Sequence, residues 1–387
     1  MSRRPLRSLL LAALLLLTGC IHPDLPGLGD DVELVDRWRI PSPVTGWDLT
    51  DFTDPRFGLI GQGRRLISVD ASTGALRWSI DLPEGYRVTR ESTSVAARAV
   101  LVRGPGGFRV VGLDDGAVLW QRESTGTVVA DRDGLLLAEC RTSGCELSGW
   151  DLHRGERQWS HETGERVEPV LSGPYQCACV FLLGERTISA IGHEFGRVAW
   201  SMARPPGVTR LIPALYRLIL FSPPTRPGCS AVLRGTDLGK VIWTREIPTT
   251  CDLTEPIRDD ELAIPVKDGV EIVDTYHGTN RTIPLGAGET LLADRITWTP
   301  GLGYRDLDDR EAPTAQVPPP ADGRPGAVLI GVGVWLLRSG DGLVLWSRFH
   351  GVRWTGPEPA AVASFDRLVR LDGTDLAGTG PPEGAGQ

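Results

Sequence analysis

Few side chains in this sequence have the type and spacing to do chemistry. The 387 residues include six histidines, seven cysteines and one asparagine, Asn280. His22, His153, His161, His193, His277 and His350 never fall in a metal-ligating spacing. His153, His193 and His277 recur in equivalent turn regions, which predicts exposed turn residues. The acidic pairs Asp114-Asp115, Asp259-Asp260 and Asp308-Asp309 also read as turns with solvated carboxylates. Gly286-Ala287-Gly288 lacks the third glycine of a phosphate-binding turn, and no nucleophile elbow or zinc-protease helix is present. No catalytic, cofactor-binding or metal-binding residue is expected.

Six cysteines follow Cys20, an even number that in an exported chain allows up to three disulfides. Cys140 and Cys145 flank Arg-Thr-Ser-Gly between two strand-like runs, so a bridge across a hairpin is expected there. Cys229 and Cys251 are a candidate link between adjacent units. Cys177 and Cys179 share one strand face, where a direct bond would be strained. With no CxxC pair and no clustered histidine, zinc binding finds no support.

The elements that carry these residues repeat. A glycine precedes a tryptophan by four residues at Gly74/Trp78, Gly116/Trp120, Gly155/Trp159, Gly196/Trp200, Gly239/Trp243 and Gly342/Trp346. In Asp70-Ala71-Ser72-Thr73-Gly74 the glycine supplies the positive φ of a tight turn, and the next strand carries Trp78 to a fixed depth. A short strand cannot bury an indole alone, so neighbouring units must stack. From Trp38 the tryptophans recur at intervals of roughly 40 residues, each interval holding four strand-like runs. The expected fold is all-β: an eight-bladed β-propeller of four-stranded antiparallel sheets, with seven and nine the neighbouring counts. The sixth turn, Asp274 to Gly278, is followed by Thr282 in place of tryptophan. From Thr282 to Trp346 the spacing is too long for one repeat and short for two. Leu307-Asp308-Asp309 resembles Leu113-Asp114-Asp115 and could mark a degenerate turn, but Pro313 to Pro325 reads as an irregular insertion. Pairing of the strand around Trp38 with the C-terminal strands would close the ring. Trp47, Trp150, Trp298, Trp335 and Trp354 fall outside the repeat position, and one or two of them are candidates for an exposed protein-binding face.

Arg3, Arg4 and Arg7 precede the unbroken apolar run Leu9 to Leu17, too short to span a bilayer. The run ends in Leu17-Thr18-Gly19-Cys20, which resembles the bacterial lipobox and implies cleavage before Cys20 and acylation of it. Ser2 to Arg7 also resembles a twin-arginine export signal. The expected organisation is a signal peptide over 1–19, a lipidated cysteine and Pro/Gly-rich tether over 20–31, a propeller over 32–376 and a disordered tail over 377–387. The expected location is the outer face of a bacterial membrane, either cell membrane or outer membrane. A net charge of −8 gives a nucleic-acid partner no electrostatic support. A monomer is expected.

The unit Ser68-x-Asp70-x-x-Thr73-Gly74-x-x-x-Trp78 resembles the tryptophan-docking repeat of pyrroloquinoline-quinone-type β-propellers, over roughly 32–376. Aspartate stands four residues before glycine at Asp70, Asp151 and Asp274; Gly192 and Gly235 replace it elsewhere, and the Gly116 turn reads as shortened. The resemblance implies that the tryptophans pack between blades. It covers two functions: quinoprotein dehydrogenation with quinone and calcium, and non-catalytic scaffolding similar to the propeller subunit of the outer-membrane barrel-assembly machine. The dehydrogenases resemble one another in a disulfide between adjacent cysteines, whereas Cys177 and Cys179 are not adjacent. They also supply Glu, Asn and Asp to calcium, and this chain has one asparagine. The expected function is therefore a lipid-anchored, non-catalytic scaffold that binds an envelope protein, with no cofactor; a ligand-sensing propeller or a quinoprotein-like enzyme is the alternative.

Overall fold

The computed structural model describes residues 35–41, 48–51 and, with gaps at turns and loops, 57–380, the longest gaps being 172–178 and 308–316. The signal peptide, Cys20 and the tether lie outside the described residues. Among the described residues, strands form nine antiparallel sheets, eight of four strands and one of three. Blade 1 consists of Asp48–Asp51, Phe57–Gln62, Arg65–Asp70 and Leu76–Asp81, hydrogen-bonded in chain order. Blades 2 to 8 repeat that order over residues 93–123, 127–162, 167–203, 210–248, 257–284, 290–306 and 327–357.

The first strands of blades 1 to 4 touch those of their neighbours in that series, as those of blades 7 and 8 touch each other, which places first strands innermost around the ring axis and fourth strands outermost. Second and third strands are buried along nearly their whole length: Phe57–Gln62 and Arg65–Asp70 read as apolar runs because blades cover both faces. The outer strand Leu76–Asp81 is largely exposed. Most core clusters form between sheets. Phe57, Leu66 and Trp78 of blade 1 pack with Val100, Val111 and Leu113 of blade 2. No helix among the described residues is long and apolar enough to cross a membrane.

Blade 9 closes the ring from both chain ends. Ala361–Ser364, Arg367–Asp372 and Asp375–Gly380 are its inner three strands, and Val35–Pro41 adds outside them as the fourth. Its inner strand meets those of blades 1 and 8. Because Asp36 pairs with Thr379 and Val35 with Gly380, the last strand runs to Gly380, past the expected boundary at Leu376.

The described residues thus form nine blades, the upper neighbour of the expected eight, and the extra one lies in the long interval after Thr282. Thr290–Ala293, Ile296–Thr299 and Gly303–Asp306 form blade 7, which has neither the turn glycine nor the tryptophan. Leu307 follows its third strand as Leu113 follows that of blade 2, and is buried against Ala263, Val270 and Ile272 of blade 6. Apolar runs thus build a blade without its docking motif, while the described residues of Pro313 to Pro325 lie between blades 7 and 8 and form no strand.

Cys140 and Cys145 lie opposite each other across the hairpin of blade 3 and are disulfide-bonded. Cys179 and Cys229 are each engaged in a disulfide, and Cys177 and Cys251 lie outside the described residues. The Cys140–Cys145 bridge closes a loop of few residues, so Cys140→Ser with Cys145→Ser is expected to cost only about 2 kcal/mol, measured as a shift in the urea midpoint.

Candidate functional site

The glycine and the tryptophan of the motif meet across the blade boundary rather than within one unit. The Trp78 ring lies on Gly116 of the next blade, where an added Cβ would come within 2.7 Å of it, and its Nε1 donates to Leu113 O at 2.8 Å. Trp120 repeats this on Gly155 and donates to Leu152 O at 2.7 Å. Trp159, Trp200 and Trp243 lie on Gly196, Gly239 and Gly278. Each turn glycine has φ between 61° and 78°, so it serves two needs: a left-handed backbone and a surface flat enough for an indole.

A bulge accompanies each docking ring. Trp78 pairs with Ser68 but Leu76 with Val69, leaving Arg77 extra on the outer strand. The same one-residue slip precedes Trp38, Trp120, Trp159, Trp200 and Trp243. Blade 6, with Thr282 in place of tryptophan, has no slip. There Asn280 Nδ2 and Thr282 Oγ1 donate to the Glu271 carboxylate.

Gly342 and Trp346 do not belong to this series. Gly342–Ser347 is the third strand of blade 8, and Trp346 packs on Trp335 with ring centroids 5.3 Å apart. The slip in that blade precedes Trp354, which pairs with Leu345 while Val352 pairs with Trp346. The fourfold spacing at 342/346 is a coincidence of sequence, and Trp354 holds the repeat position. The shortened turn is also reassigned. In the Gly116 turn, Gly116 N donates to Gly112 O and Gly112 N to Ala117 O, the pattern of the Asp70–Gly74 turn. The short one is Asp237 to Lys240, with φ of 45° at Leu238 and 78° at Gly239. Trp298 and Trp335 are buried, so neither lines an exposed face.

The strand directions give the ring two ends. The glycine turns form one end, the turn face. The other, the linker face, carries the links between blades and the hairpins joining second to third strands. Three clefts of 520, 560 and 600 Å³ open on the linker face, the first and third at boundaries between blades and the second between blade 2 and the link that enters it. The first lies beside the Cys140–Cys145 bridge, among Glu139, Arg141, Glu146, Arg166 and Glu168. The second gathers Tyr86, Arg109 and Arg122; the third holds Lys267 and Glu271.

Two buried carboxylates fasten the links on this face. Glu289 accepts both Arg305 nitrogens, at 2.7 and 2.6 Å, the Gly286 N–H and the Thr297 hydroxyl. Glu165 accepts the Arg186 N–H at 2.6 Å and the Thr187 hydroxyl. Burial by itself would raise both carboxyls, but these donors outweigh it and hold each below the ordinary glutamate value. Nothing in the sequence around Glu165 or Glu289 distinguishes them, because their partners come from other strands.

These clefts offer ion pairs and hydrogen-bonding groups, but no nucleophile set against a base. Asn280 stands on an outermost strand bonded to Glu271, away from the ring axis. Among the described residues no three His, Cys, Asp or Glu side chains come together as a metal site.

Residues 62–211 match the family model described as outer membrane protein assembly factor BamB. Over these residues the repeats are similar to PQQ-like propeller repeats. The matched segment is less than half of the chain, and it runs from blade 1 into blade 5. Similar solved structures include BamB from Moraxella catarrhalis, at 12% identity over 89% of this chain and 85% of that one, with a TM-score of 0.33. The Neurospora crassa Pan2 WD40 domain is 8% identical over 92% and 97%, with a TM-score of 0.40. Saccharomyces cerevisiae Sqt1 is 10% identical over 90% and 99%, with a TM-score of 0.47. No curated protein matches the chain in sequence.

Proposed function

We propose that this protein is a non-catalytic scaffold of the bacterial cell envelope, held at a membrane by acylated Cys20 and binding another envelope protein through its linker face. The observation that carries the reading is the match of residues 62–211 to the model of an outer-membrane assembly factor. The docking motif agrees with it: glycine and tryptophan are consumed in joining blades, which leaves ligand recognition to the loops of a rigid ring. The clefts agree as well, being shallow and charged, with two of them at blade boundaries.

Crosslinking on intact cells, followed by mass spectrometry, is expected to join Lys267 or linker-face carboxylates to an envelope protein. Lys267 beside the third cleft is the first to examine. Crosslinks confined to the turn face would overturn the assignment of the binding surface. Quinone retained on the purified protein, or calcium-dependent dye reduction by it, would overturn the non-catalytic reading.

A further inference from the structure

Nine large apolar side chains are exposed among the described residues, and eight of them lie on the turn face or at its rim. Phe195, Leu238 and Tyr276 occupy turns and are 64%, 79% and 44% exposed. Leu76, Val198 and Ile242 stand in the first residues of outer strands, and two more hold that place in blade 2. The ninth, Leu302, is in a hairpin on the linker face. Leu238 is a further oddity: it takes the left-handed conformation that glycine or asparagine adopts at lower cost, while presenting an isobutyl group to solvent.

The first residues of the outer strands on this rim carry mostly cations. Between each turn glycine and the repeat position four residues on stand Arg77, Arg157, Arg197, Lys240 and Arg281, against the single acid Glu156; Arg157 is ion-paired with Glu146 and Arg281 with Glu261. The turns themselves carry carboxylates, several of which fold back onto their own backbone. Asp70, Asp151 and Asp274 accept N–H groups of their own turns, and Asp115 accepts the Ala117 N–H. Exposed aliphatic and aromatic groups beside cationic side chains, on a chain of net charge −8, suit the headgroup region of an anionic bilayer.

The path of the chain supplies the second argument. Val35–Pro41 is the outer strand of blade 9, and Val35 pairs with Gly380 at the turn-face end. The chain from Cys20 therefore enters the ring at the rim that carries the apolar residues. Fifteen residues span at most about 50 Å when extended, so an acyl anchor at Cys20 keeps this rim near the bilayer.

We propose that the turn face rests on an anionic lipid surface, which aims the linker face and its clefts away from the membrane. The proposal rests on the lipid-anchored reading of Cys20.

Hydrogen exchange of the full acylated chain tests it, read in detergent and after reconstitution into phosphatidylcholine vesicles with and without phosphatidylglycerol. Amides in residues 73–82, 115–123, 195–203 and 237–246 are expected to slow about tenfold in phosphatidylglycerol vesicles. The effect should weaken with salt, and the hairpin around Leu302 should not change. The triple variant Leu76→Glu, Val198→Glu and Ile242→Glu should lose this protection with its melting temperature and acyl mass unchanged, and Leu302→Glu should keep it. Protection of the linker face, or of neither face, overturns the proposal. So does turn-face protection that already exists in detergent and rises with protein concentration, which would mark a second copy as the occupant. An intact mass without acyl chains would instead overturn the anchored reading, and the same four segments, read with vesicles added, would then decide the face by themselves.

Discussion

Trp78→Ala is expected to lower the free energy of unfolding by about 3–5 kcal/mol, measured by urea titration followed by far-ultraviolet circular dichroism. The indole is 8% exposed, fills the boundary between blades 1 and 2, and ties them with its bond to Leu113 O. Gly116→Ala should cost about 2–4 kcal/mol, because the methyl group meets the ring at 2.7 Å and φ is 73°. The two losses should not add. With Trp78 already alanine the clash is gone and only the backbone strain remains, so the double variant should be more stable than the sum predicts by about 1–3 kcal/mol. Additive losses would mean that glycine and tryptophan act separately, contrary to the docking described above.

Glu289→Ala should destabilise the ring by about 3 kcal/mol, since it leaves the half-buried Arg305 guanidinium without its carboxylate. The salt bridge is 2.6 Å long and the Glu289 side chain 3% exposed. The pH dependence follows from the direction of the shift. Burial opposes the charged form but is outweighed by Arg305, Thr297 and the Gly286 N–H, so the folded carboxyl takes its proton below 4.5, the ordinary value it has when unfolded. Between those two values the unfolded chain binds more protons, and stability rises with pH. The contribution is full above the unfolded value and is lost as pH falls through the folded one. Glu289→Gln should therefore be less stable than the natural chain at pH 7, and the gap should close as the solution is acidified. Unfolding curves across pH 2.5 to 7 measure it, and a constant gap would show that the carboxylate charge is not what fastens the link.

Much of the ring is legible in the residues alone. The roughly 40-residue period of glycine and tryptophan reads as stacked sheets, and Trp38, with no turn glycine before it, reads as a strand awaiting partners from the other end of the chain. Blade 7 is not legible by the same rule. Its strands are apolar enough to fill the ring, but its one tryptophan, Trp298, lies on the second strand and not at the repeat position, and Leu307 is too small a signal against a proline-rich stretch. Gly342 and Trp346 fail in the opposite way: the spacing is right, but the glycine opens a third strand and Trp346 packs inward on Trp335. Spacing along the chain does not reveal which strand of a sheet a residue occupies. The bulge register does, and it points to Trp354.

The sequence by itself determined the repeat, the strand content and the closure of the ring by its two ends. These follow from local rules: glycine where φ must be positive, apolar runs where both sheet faces are covered, and an indole too large for one short strand to bury. Only the tertiary structure decided that Gly116, Gly155, Gly196, Gly239 and Gly278 each serve the tryptophan of the preceding blade, that nine sheets form among the described residues, and that Glu165 and Glu289 fasten the links. It also decided that the exposed apolar side chains gather at the end where the N-terminal strand begins. Those are relations between residues from different strands and blades, and the chain brings them together only when the ring closes.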